Sequence, residues 1–324
     1  MIGALSQLSV NWSTAPTVAA KAPKAEPRIT PDGVELSLPA VDPEPLPPVS
    51  MRIDLEQFRV KPGEEIDLSA ISTAPPEGVP TSKAESERLL EAMHKKISEL
   101  QRRLFSENQR SVLFVCQGMD ASGKGGTFKD VFAPLMLKTE EGVERASFNV
   151  PTKLEADHDF LWRITGEMPR KGNIGMFDRG HYEDIVEVRV ANLAPEEVWS
   201  ARYDQVKDFE KQRGDLGTKM VKIFLHIGKD EQKLRLEERR DTPHKQYKFN
   251  AGDVERREQW DEYQQAYSDV LTRTSTEQAP WYVVPADDKE ARNLIIASIL
   301  LKTLQEMDPQ YPKLPDDLAR LQIQ

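Results

Sequence analysis

Residues 112 to 127 read VLFVCQGMDASGKGGT and decide the fold. An apolar run leads into a glycine-rich turn that carries a lysine, and the helix-like sequence TFKDVFAPLML follows. Backbone N–H groups bind phosphate when a strand, a tight turn and a helix come in this order, because the turn and the helix N-terminus direct those groups at an anion. The stretch therefore predicts a phosphate loop and indicates phosphoryl-transfer chemistry.

The predicted loop matches the pattern GxxxxGK, since Gly118 and Gly123 enclose four residues and Lys124 follows. The next position normally carries a Ser or Thr hydroxyl that holds Mg²⁺, but here it is Gly125. Either Thr127 or Asp120 must replace that ligand. Asp120 is favoured, because a carboxylate inside the loop would repel phosphate unless a metal ion lay between them. The loop residues predicted to contact phosphate or nucleotide are Gly118, Met119, Ala121, Ser122, Gly123, Gly125, Gly126 and Thr127.

The composition argues against several classes of partner. A net charge of -10 disfavours general binding to nucleic acid or to anionic membranes, because both require a positive surface. Cys116 is the only cysteine, so the chain can form no intrachain disulfide and no Cys-rich metal site, which fits the cytoplasm. The longest apolar run, Leu294 to Leu301, is far shorter than the roughly 20 residues of a membrane-spanning helix. We expect no nucleic acid or membrane partner.

Prolines mark the first part of the chain. Thirteen of the 23 prolines fall within the first 80 residues, and proline disfavours helices. Residues 1–80 are therefore predicted to be an extended or partly disordered arm. Short apolar pieces such as Val34 to Leu38 and Met51 to Phe58 could instead dock on the main domain or on a second subunit. The catalytic domain is assigned to residues 81–310 and a C-terminal tail to residues 311–324.

Alternating helix and strand patterns follow the arm. Ser82 and Glu85 form a capping-box start, and apolar residues then recur at helical spacing. Segments long enough to be crossover helices separate five apolar runs. These runs are Val112 to Cys116, Ala146 to Val150, Ile174 to Phe177, Val221 to Ile227 and Trp281 to Val284. The pattern predicts a three-layer α/β fold, with a parallel five-stranded sheet flanked by helices and a ligand site beyond the carboxyl ends of the strands.

One acidic residue, Asp178, and one basic residue, Arg179, directly follow the third predicted strand. Asp178 has the position of a carboxylate that would hold Mg²⁺ beside a phosphate loop. The alternative is a turn residue, because Asp is common at the ends of strands. Arg179 could clamp a phosphate. Upstream, Asp159 and Arg163 are spaced i, i+4 and would form either a surface pair or a contact to an acceptor phosphate.

A basic stretch, KLRLEERRDTPHKQYK, follows the fourth predicted strand. In an acidic chain this local positive charge predicts a helical lid at about residues 230–255 that closes over phosphates. Arg235 and Arg239 would share one helix face, and Lys245 lies in the same stretch. The alternative is a solvated helix whose arginines pair with neighbouring glutamates.

These motifs together closely resemble the polyphosphate kinase 2 family. The resemblance runs from about Ser82 to about Leu304. It implies an enzyme with a P-loop core and a helical lid that moves a terminal phosphate between inorganic polyphosphate and nucleotides with Mg²⁺, or alternatively Mn²⁺. It also implies a homodimer or homotetramer. The segments that carry it are GMDASGKGGT, SFNVPTKLEADHDFLWRI, MFDRGHYED, VWSARYDQVKDFE, KFNAGDVERREQWDEYQQAY and RTSTEQAPWYVVPAD.

The resemblance also implies residue roles. Asp120 and Asp178 would be the Mg²⁺ and catalytic carboxylates, and Lys124 the lysine of the phosphate loop. Arginines would bind phosphate, namely Arg179, Arg235 and Arg239. Glu183 and Arg163 would serve the acceptor side.

Acceptor preference stays open among AMP, ADP and guanine nucleotides. The elements DHDFLWR, HYED and APWYVVPAD look most like the branch that accepts AMP as well as ADP, whereas Gly125 and Asp178 look like the branch that prefers ADP. Two other functions remain from the residues alone. An ATP-dependent kinase of a nucleoside monophosphate or another small metabolite would use much the same loop. A non-enzymatic nucleotide-binding module is less favoured, because the chain contains no Asn-Lys pair for a guanine-reading NKxD element.

Overall fold

The computed structural model describes residues 28–30, 33–35, 53–139, 142–321 and 323. Most of the predicted arm therefore lies outside the described residues, including nine of its thirteen prolines. Residues 28–30 and 33–35 form a separate two-stranded antiparallel sheet.

Eight strands and twelve α-helices occur in the described residues. The strands are β1 (Arg28–Thr30), β2 (Gly33–Glu35), β3 (Arg59–Val60), β4 (Ser111–Gln117), β5 (Val143–Ser147), β6 (Ile174–Asp178), β7 (Thr218–His226) and β8 (Trp281–Pro285). The helices are α1 (Lys83–Glu107), α2 (Lys124–Thr127), α3 (Ala133–Thr139), α4 (Lys153–Ala156), α5 (Trp162–Gly166), α6 (Glu183–Val190), α7 (Glu196–Asp215), α8 (Lys229–Asp241), α9 (Ala251–Glu258), α10 (Trp260–Thr274), α11 (Lys289–Met307) and α12 (Asp316–Ala319). A π-helical turn at Phe128–Phe132 joins α2 to α3.

The main sheet has six strands in the order β3-β8-β7-β4-β6-β5. Its five longer strands are parallel, and four of them coincide closely with predicted apolar runs. The exception is β5, which begins three residues before the predicted run Ala146 to Val150 and shares only residues 146 and 147 with it. The sixth strand, β3, pairs antiparallel with β8. The expectation of a purely parallel five-stranded sheet is therefore wrong at this edge, and the sheet is mixed. A two-residue strand is too short to show an alternating pattern in the sequence.

The central strand β4 is buried along its whole length and lies between β6 and β7. Such a strand reads as a continuous apolar run because helices cover both faces of the sheet. One group of packed helices consists of α1, α3 and α11, and another of α6, α7 and α10. Helix α1 begins at the predicted position, where the Ser82 hydroxyl accepts a hydrogen bond from the Glu85 N–H at 3.4 Å. None of the described helices is both long and apolar enough to cross a bilayer.

Residues 53–80, the last part of the predicted arm, pack on the domain. Ile53, Leu55 and Leu68 are each no more than 3% exposed. Two short 3₁₀-helices, Leu55–Phe58 and Leu68–Ala70, flank β3. This segment contains the antiparallel edge strand of the sheet, and its apolar side chains are part of the hydrophobic core.

Candidate phosphate-binding site

The phosphate loop joins β4 to α2 and curls around the side chain of Lys124. Gly118 has a φ of +146°, and an added Cβ would lie 2.8 Å from the carbonyl oxygen of Leu225. Glycine is therefore required there. The Nζ of Lys124 donates to the carbonyl oxygens of Gly118 at 2.6 Å and Met119 at 3.3 Å. The structure thus forms the loop that the sequence predicts, with the lysine ammonium folded back onto its first two carbonyl groups.

Helix α8 holds the loop from its carbonyl side. The Arg235 guanidinium donates to the carbonyl oxygens of Ala121 at 3.2 Å and Ser122 at 3.1 Å. The Gln232 side-chain amide donates to the carbonyl oxygen of Asp120 at 3.0 Å. Ala121 has a φ of +63°, which is costly for a residue with a side chain, so these contacts help to maintain a strained turn. Arg235 is predicted as a phosphate ligand. In the structure its N–H groups donate hydrogen bonds to backbone carbonyl oxygens and to the Glu231 carboxylate.

The Asp120 carboxylate lies between two arginines. Its Oδ1 is 3.2 Å from Nη2 of Arg179, and its Oδ2 is 2.5 Å from Nε of Arg256. Burial of this side chain opposes ionisation, but the positive charges of Lys124, Arg256 and Arg179 outweigh burial and lower the pKa of Asp120. The carboxylate is consequently ionised at neutral pH and available to a cation.

Asp178 and Arg179 follow β6 at the same edge of the sheet. Asp178 is paired in register with Cys116 of β4, the strand that leads into the phosphate loop. Its Oδ2 is 2.8 Å from Nη2 of Arg145. Arg179 has a φ of +71°, and its backbone N–H donates to the Cys116 carbonyl oxygen at 3.0 Å. This turn directs the Arg179 side chain toward Asp120, so the structure brings the predicted Asp120 and Arg179 together.

A cleft of about 240 Å³ opens beside the loop and contains charges of both signs. It is lined by Gly118, Met119, Asp120, Phe148, Asn149, Val150, Pro151, Arg163, Arg179, Glu183, Asp184, Glu187, Val188, Leu193, Arg256, Tyr263 and Tyr267. Lys124 and Asp178 are not among these lining residues, and neither are the predicted lid residues Arg235, Arg239 and Lys245.

The two residues predicted for the acceptor side both line this cleft. Arg163 is 9% exposed and donates to the Asn149 carbonyl oxygen at 2.8 Å and to the Asp184 carboxylate at 3.0 Å. It therefore does not form the surface pair with Asp159 that was the alternative. Burial raises the pKa of Glu183, although Arg179 and Lys124 act in the opposite direction.

The predicted lid comprises α8, a 3₁₀-helix at Pro243–Lys248 and α9. Arg239 is 3.3 Å from Asp253, and Asp253 is 3.2 Å from Arg256, which contacts Asp120. Arg239 is thereby connected to the loop through a chain of ion pairs. Lys245 instead pairs with Glu238 at 2.5 Å.

Sequence reasoning missed Arg256 and the two cleft tyrosines, Tyr263 and Tyr267. Arg256 is 136 positions from Asp120, so nothing local in the sequence shows their contact. The available signal was the GDVERRE segment itself, whose basic residues lie just beyond the stretch assigned to the lid. The hydroxyl of Tyr263 donates to Glu187 at 2.7 Å. Burial raises the pKa of both tyrosines, so they are neutral hydroxyl donors in the cleft at neutral pH.

A buried polar network lies behind the Asp178 turn. Glu210 accepts from Nζ of Lys222 and from the Tyr182 hydroxyl, both at 2.6 Å, and its other contact is His181 at 3.0 Å. All four side chains are no more than 3% exposed. Tyr182 directly precedes α6, which carries Glu183 into the cleft wall. The network therefore fixes the position of α6.

Oxygen donors for a hard metal ion are present around the loop. The Ser122 and Thr127 hydroxyls are buried and lack a hydrogen-bond partner among the described residues. Asp120 and Asp178 add ionisable carboxylates. No cluster of three or more His, Cys, Asp or Glu side chains suited to a metal occurs in the part of the chain that the structure describes. Such a donor set suits Mg²⁺, which commonly takes one or two carboxylates and completes its shell with water and substrate phosphates.

The mainly parallel sheet, the phosphate loop at its centre and the arginine-rich cleft define a P-loop protein that binds phosphate groups. The model of the family "Polyphosphate kinase 2" matches residues 80–312. The chain belongs to the polyphosphate kinase 2 family.

Curated relatives and solved structures agree with this assignment. The chain is 42% identical to an AMP/ADP-polyphosphate phosphotransferase of Meiothermus ruber, over 80% of this chain and 96% of the relative. It is 38% identical to an ADP-polyphosphate phosphotransferase of Rhodopseudomonas palustris, over 81% of this chain and 94% of the relative. The crystal structure of polyphosphate kinase 2 from Arthrobacter aurescens superposes with a TM-score of 0.75 at 38% identity, covering 82% of this chain and 93% of that one.

Proposed function

We propose that this protein is a phosphotransferase that moves the terminal phosphate of inorganic polyphosphate to AMP or ADP, and in reverse. The observation that carries the proposal is the Asp120 carboxylate, held ionised in the phosphate loop between Arg179 and Arg256 at the wall of the cleft. Family membership supports the assignment of donor and acceptor, since the matching relatives are named for these substrates.

Catalysis by these residues rests on alignment and on charge neutralisation. The backbone N–H groups of the loop and the Lys124 ammonium hold donor phosphate oxygens. Arg179 and Arg256 are free to share their N–H groups between Asp120 and a phosphate, because a guanidinium has five donors. Phosphoryl transfer requires little covalent chemistry from the protein, so fixing the donor and acceptor in line provides much of the rate gain.

We propose Mg²⁺ as the cofactor, with Mn²⁺ as an alternative ion, held by Asp120 and Asp178. The Thr127 hydroxyl supports the choice, because it is a buried oxygen that has no hydrogen-bond partner among the described residues and lies three positions after Lys124. When bound, the ion neutralises charge on the phosphates and reduces repulsion between them and the loop carboxylate. Arg179 and Arg256 keep Asp120 deprotonated and oriented in its absence.

The acceptor side is assigned to Arg163 and Glu183. Both line the cleft, Arg163 is buried and Glu183 is half-buried, so a nucleotide phosphate or ribose hydroxyl entering there would meet preorganised polar groups. Acceptance of both AMP and ADP is the working proposal, and guanine nucleotides are further candidate acceptors. We also propose a cytoplasmic homodimer or homotetramer.

Product analysis by anion-exchange chromatography tests the function. The purified protein is incubated with Mg²⁺ and long-chain polyphosphate, with AMP in one tube and ADP in another. Formation of ADP from AMP and of ATP from ADP is expected. Product from ADP alone would show that the enzyme accepts ADP and not AMP, once contaminating adenylate kinase is excluded. No product from polyphosphate, with ATP consumed when small acceptors are supplied, would replace the proposal with an ATP-dependent kinase. Nucleotide bound but unchanged in every tube would indicate a binding module.

The Asp120→Asn variant tests the site. It keeps the side-chain shape but removes the charge that the two arginines and a metal ion require, so turnover should fall by at least about 100-fold. Asp215→Asn is the matched control, because Asp215 is 53% exposed and pairs with Lys211 on the surface of α7. A folded Asp120→Asn protein with normal turnover would refute the assignment.

A further inference from the structure

Residues 66–76, called here the brace segment, lie outside the region that the family model matches. Two backbone contacts anchor the segment to α10. The Ile66 N–H donates to the Thr272 hydroxyl at 2.9 Å, and the Leu68 N–H donates to the Ser268 hydroxyl at 3.2 Å. Leu68 is 1% exposed, so the segment is fixed in the core before it reaches the ligand edge of the sheet.

The brace segment then contacts the last residue of β7 and the turn that follows β8. Nε2 of His226 is 3.0 Å from the Ile71 carbonyl oxygen. The Thr73 hydroxyl donates to Oδ2 of Asp287 at 2.5 Å, and the Asp287 N–H donates to the Thr73 carbonyl oxygen at 3.2 Å. Thr73 and Asp287 are therefore connected by two reciprocal hydrogen bonds.

Asp287 connects this contact to helix α8. Its Oδ1 accepts from the N–H of Gly228, the N-cap of α8, at 2.7 Å. Its carbonyl oxygen accepts from Nη2 of Arg235, also at 2.7 Å. The approach is close, because an added Cβ on Gly228 would lie 3.2 Å from both Oδ2 of Asp287 and the Thr73 hydroxyl. The Asp287 carboxylate thus contacts the start of α8, and the backbone carbonyl of the same residue contacts Arg235, a buried arginine of that helix.

Helix α8 contacts the phosphate loop through three consecutive carbonyl groups. Gln232 donates to Asp120, and Arg235 donates to Ala121 and Ser122. These carbonyls belong to the turn whose Ala121 has a positive φ, where the backbone needs external support. The route from Thr73 to the loop therefore passes through only Asp287 and Arg235.

We propose that Thr73 and Asp287 are positioning residues for phosphoryl transfer, through which the brace segment sets the geometry of the phosphate loop. This inference rests on the proposed function only for its activity readout. Neither residue lines the cleft, so both act through Arg235 and Gly228. Loss of the Thr73 hydroxyl frees one Asp287 oxygen, loosens the start of α8 and permits the loop carbonyls to move.

The experiment compares three single variants of the full chain. Thr73→Val removes the hydroxyl with little change in shape, and Thr73→Ser retains it. Ser72→Ala is the matched control, because the adjacent Ser72 is exposed and its hydroxyl accepts a local hydrogen bond from the Ala74 N–H at 3.2 Å. Hydrogen exchange of the loop amides is measured by mass spectrometry, and kcat and KM for polyphosphate are measured in parallel. Unfolding temperatures are recorded for all variants.

In Thr73→Val, exchange of the loop peptide containing residues 118–127 should increase about fivefold, and kcat should fall by a similar factor, because small displacements of positioning groups reduce turnover steeply. Thr73→Ser should restore both values, and Ser72→Ala should match wild type. Unchanged loop exchange in Thr73→Val, or an equal change in Ser72→Ala, would overturn the inference. An inactive wild type would contradict the proposed function alone, because the exchange comparison requires no turnover.

Discussion

Two glycines of the phosphate loop, Gly123 and Gly125, have opposite surroundings and so test how the backbone of the loop is held. Gly123 has a φ of +114°, and an added Cβ would lie 1.9 Å from Nη1 of Arg292. Gly125 lies in α2, is exposed and has nothing within 4 Å of an added Cβ. We predict that Gly123→Ala destabilises the protein strongly and that Gly125→Ala does not.

The magnitude for Gly123→Ala has two parts. A left-handed backbone conformation costs a residue with a side chain roughly 1–2 kcal/mol. Arg292 must also move, yet its side chain is buried and bonded to Asn293 at 2.8 and 3.1 Å and to the Ser122 carbonyl oxygen at 3.4 Å. Burial lowers the pKa of Arg292 to about 10, which still leaves the guanidinium charged at neutral pH. Breaking the hydrogen bonds of this charged group costs about 1.5–3 kcal/mol. The expected total loss is roughly 2.5–5 kcal/mol.

Gly125→Ala is the matched control and should increase the free energy of unfolding by up to ~1 kcal/mol, because alanine favours a helix more than glycine. The assay is urea denaturation followed by tryptophan fluorescence, with the slopes compared to verify a two-state transition. Equal unfolding free energies for the two variants would show that the loop is not held between its left-handed glycine and Arg292.

Two further perturbations test the buried polar groups. Lys222→Met should lower the free energy of unfolding by about 3–5 kcal/mol, because it leaves the Glu210 carboxylate buried without its ammonium partner. A loss below about 1 kcal/mol in urea denaturation would contradict that account. Burial lowers the pKa of His226 below its ordinary value of 6.5, despite the opposing hydrogen bond to the Ile71 carbonyl oxygen. The unfolded chain therefore binds the proton more readily, and stability should be complete above pH 6.5 and decrease as the pH falls toward the folded-state pKa. His226→Gln should lessen this dependence between about pH 7 and 5, whereas His244→Gln, at an exposed position, should leave it unchanged. The same acid sensitivity in all three proteins would exclude His226 as its source.

Much of the fold was predictable because its signals are local. Four of the five parallel strands appear as apolar runs, because helices cover both faces of the inner sheet. The edge strand β5, with the sequence VERAS and alternating burial, carries a weaker signal. Helix α1 was marked by the Ser82 cap and its apolar spacing. The edge strand β3 was not predictable, because two residues are too few to show a periodic pattern. Its position depends on pairing with β8, more than 200 positions later in the chain.

The site was predictable to the extent that its residues follow strands or lie in one turn. The sequence placed the phosphate loop and Arg179 at one edge of the sheet in this way, because the carboxyl ends of adjacent parallel strands lie together. The structure brings Asp120 and Arg179 within 3.2 Å of each other, and their roles stay predictions. The roles expected for the lid arginines were less secure. A basic helix face has the same sequence whether it meets phosphate, carbonyl groups or solvent, and Arg235 meets the carbonyl groups of the loop.

The sequence by itself determined the P-loop α/β class, the glycine turn with its lysine and the family. Only the tertiary structure decided that Arg256 contacts Asp120, that Arg235 supports the loop from behind and that the brace segment reaches Asp287. The physical reason lies in the range of the interactions. Backbone propensity, turn geometry and burial pattern act between near neighbours in the chain, whereas the partner of a charged or polar side chain is set by which distant elements the hydrophobic core brings together.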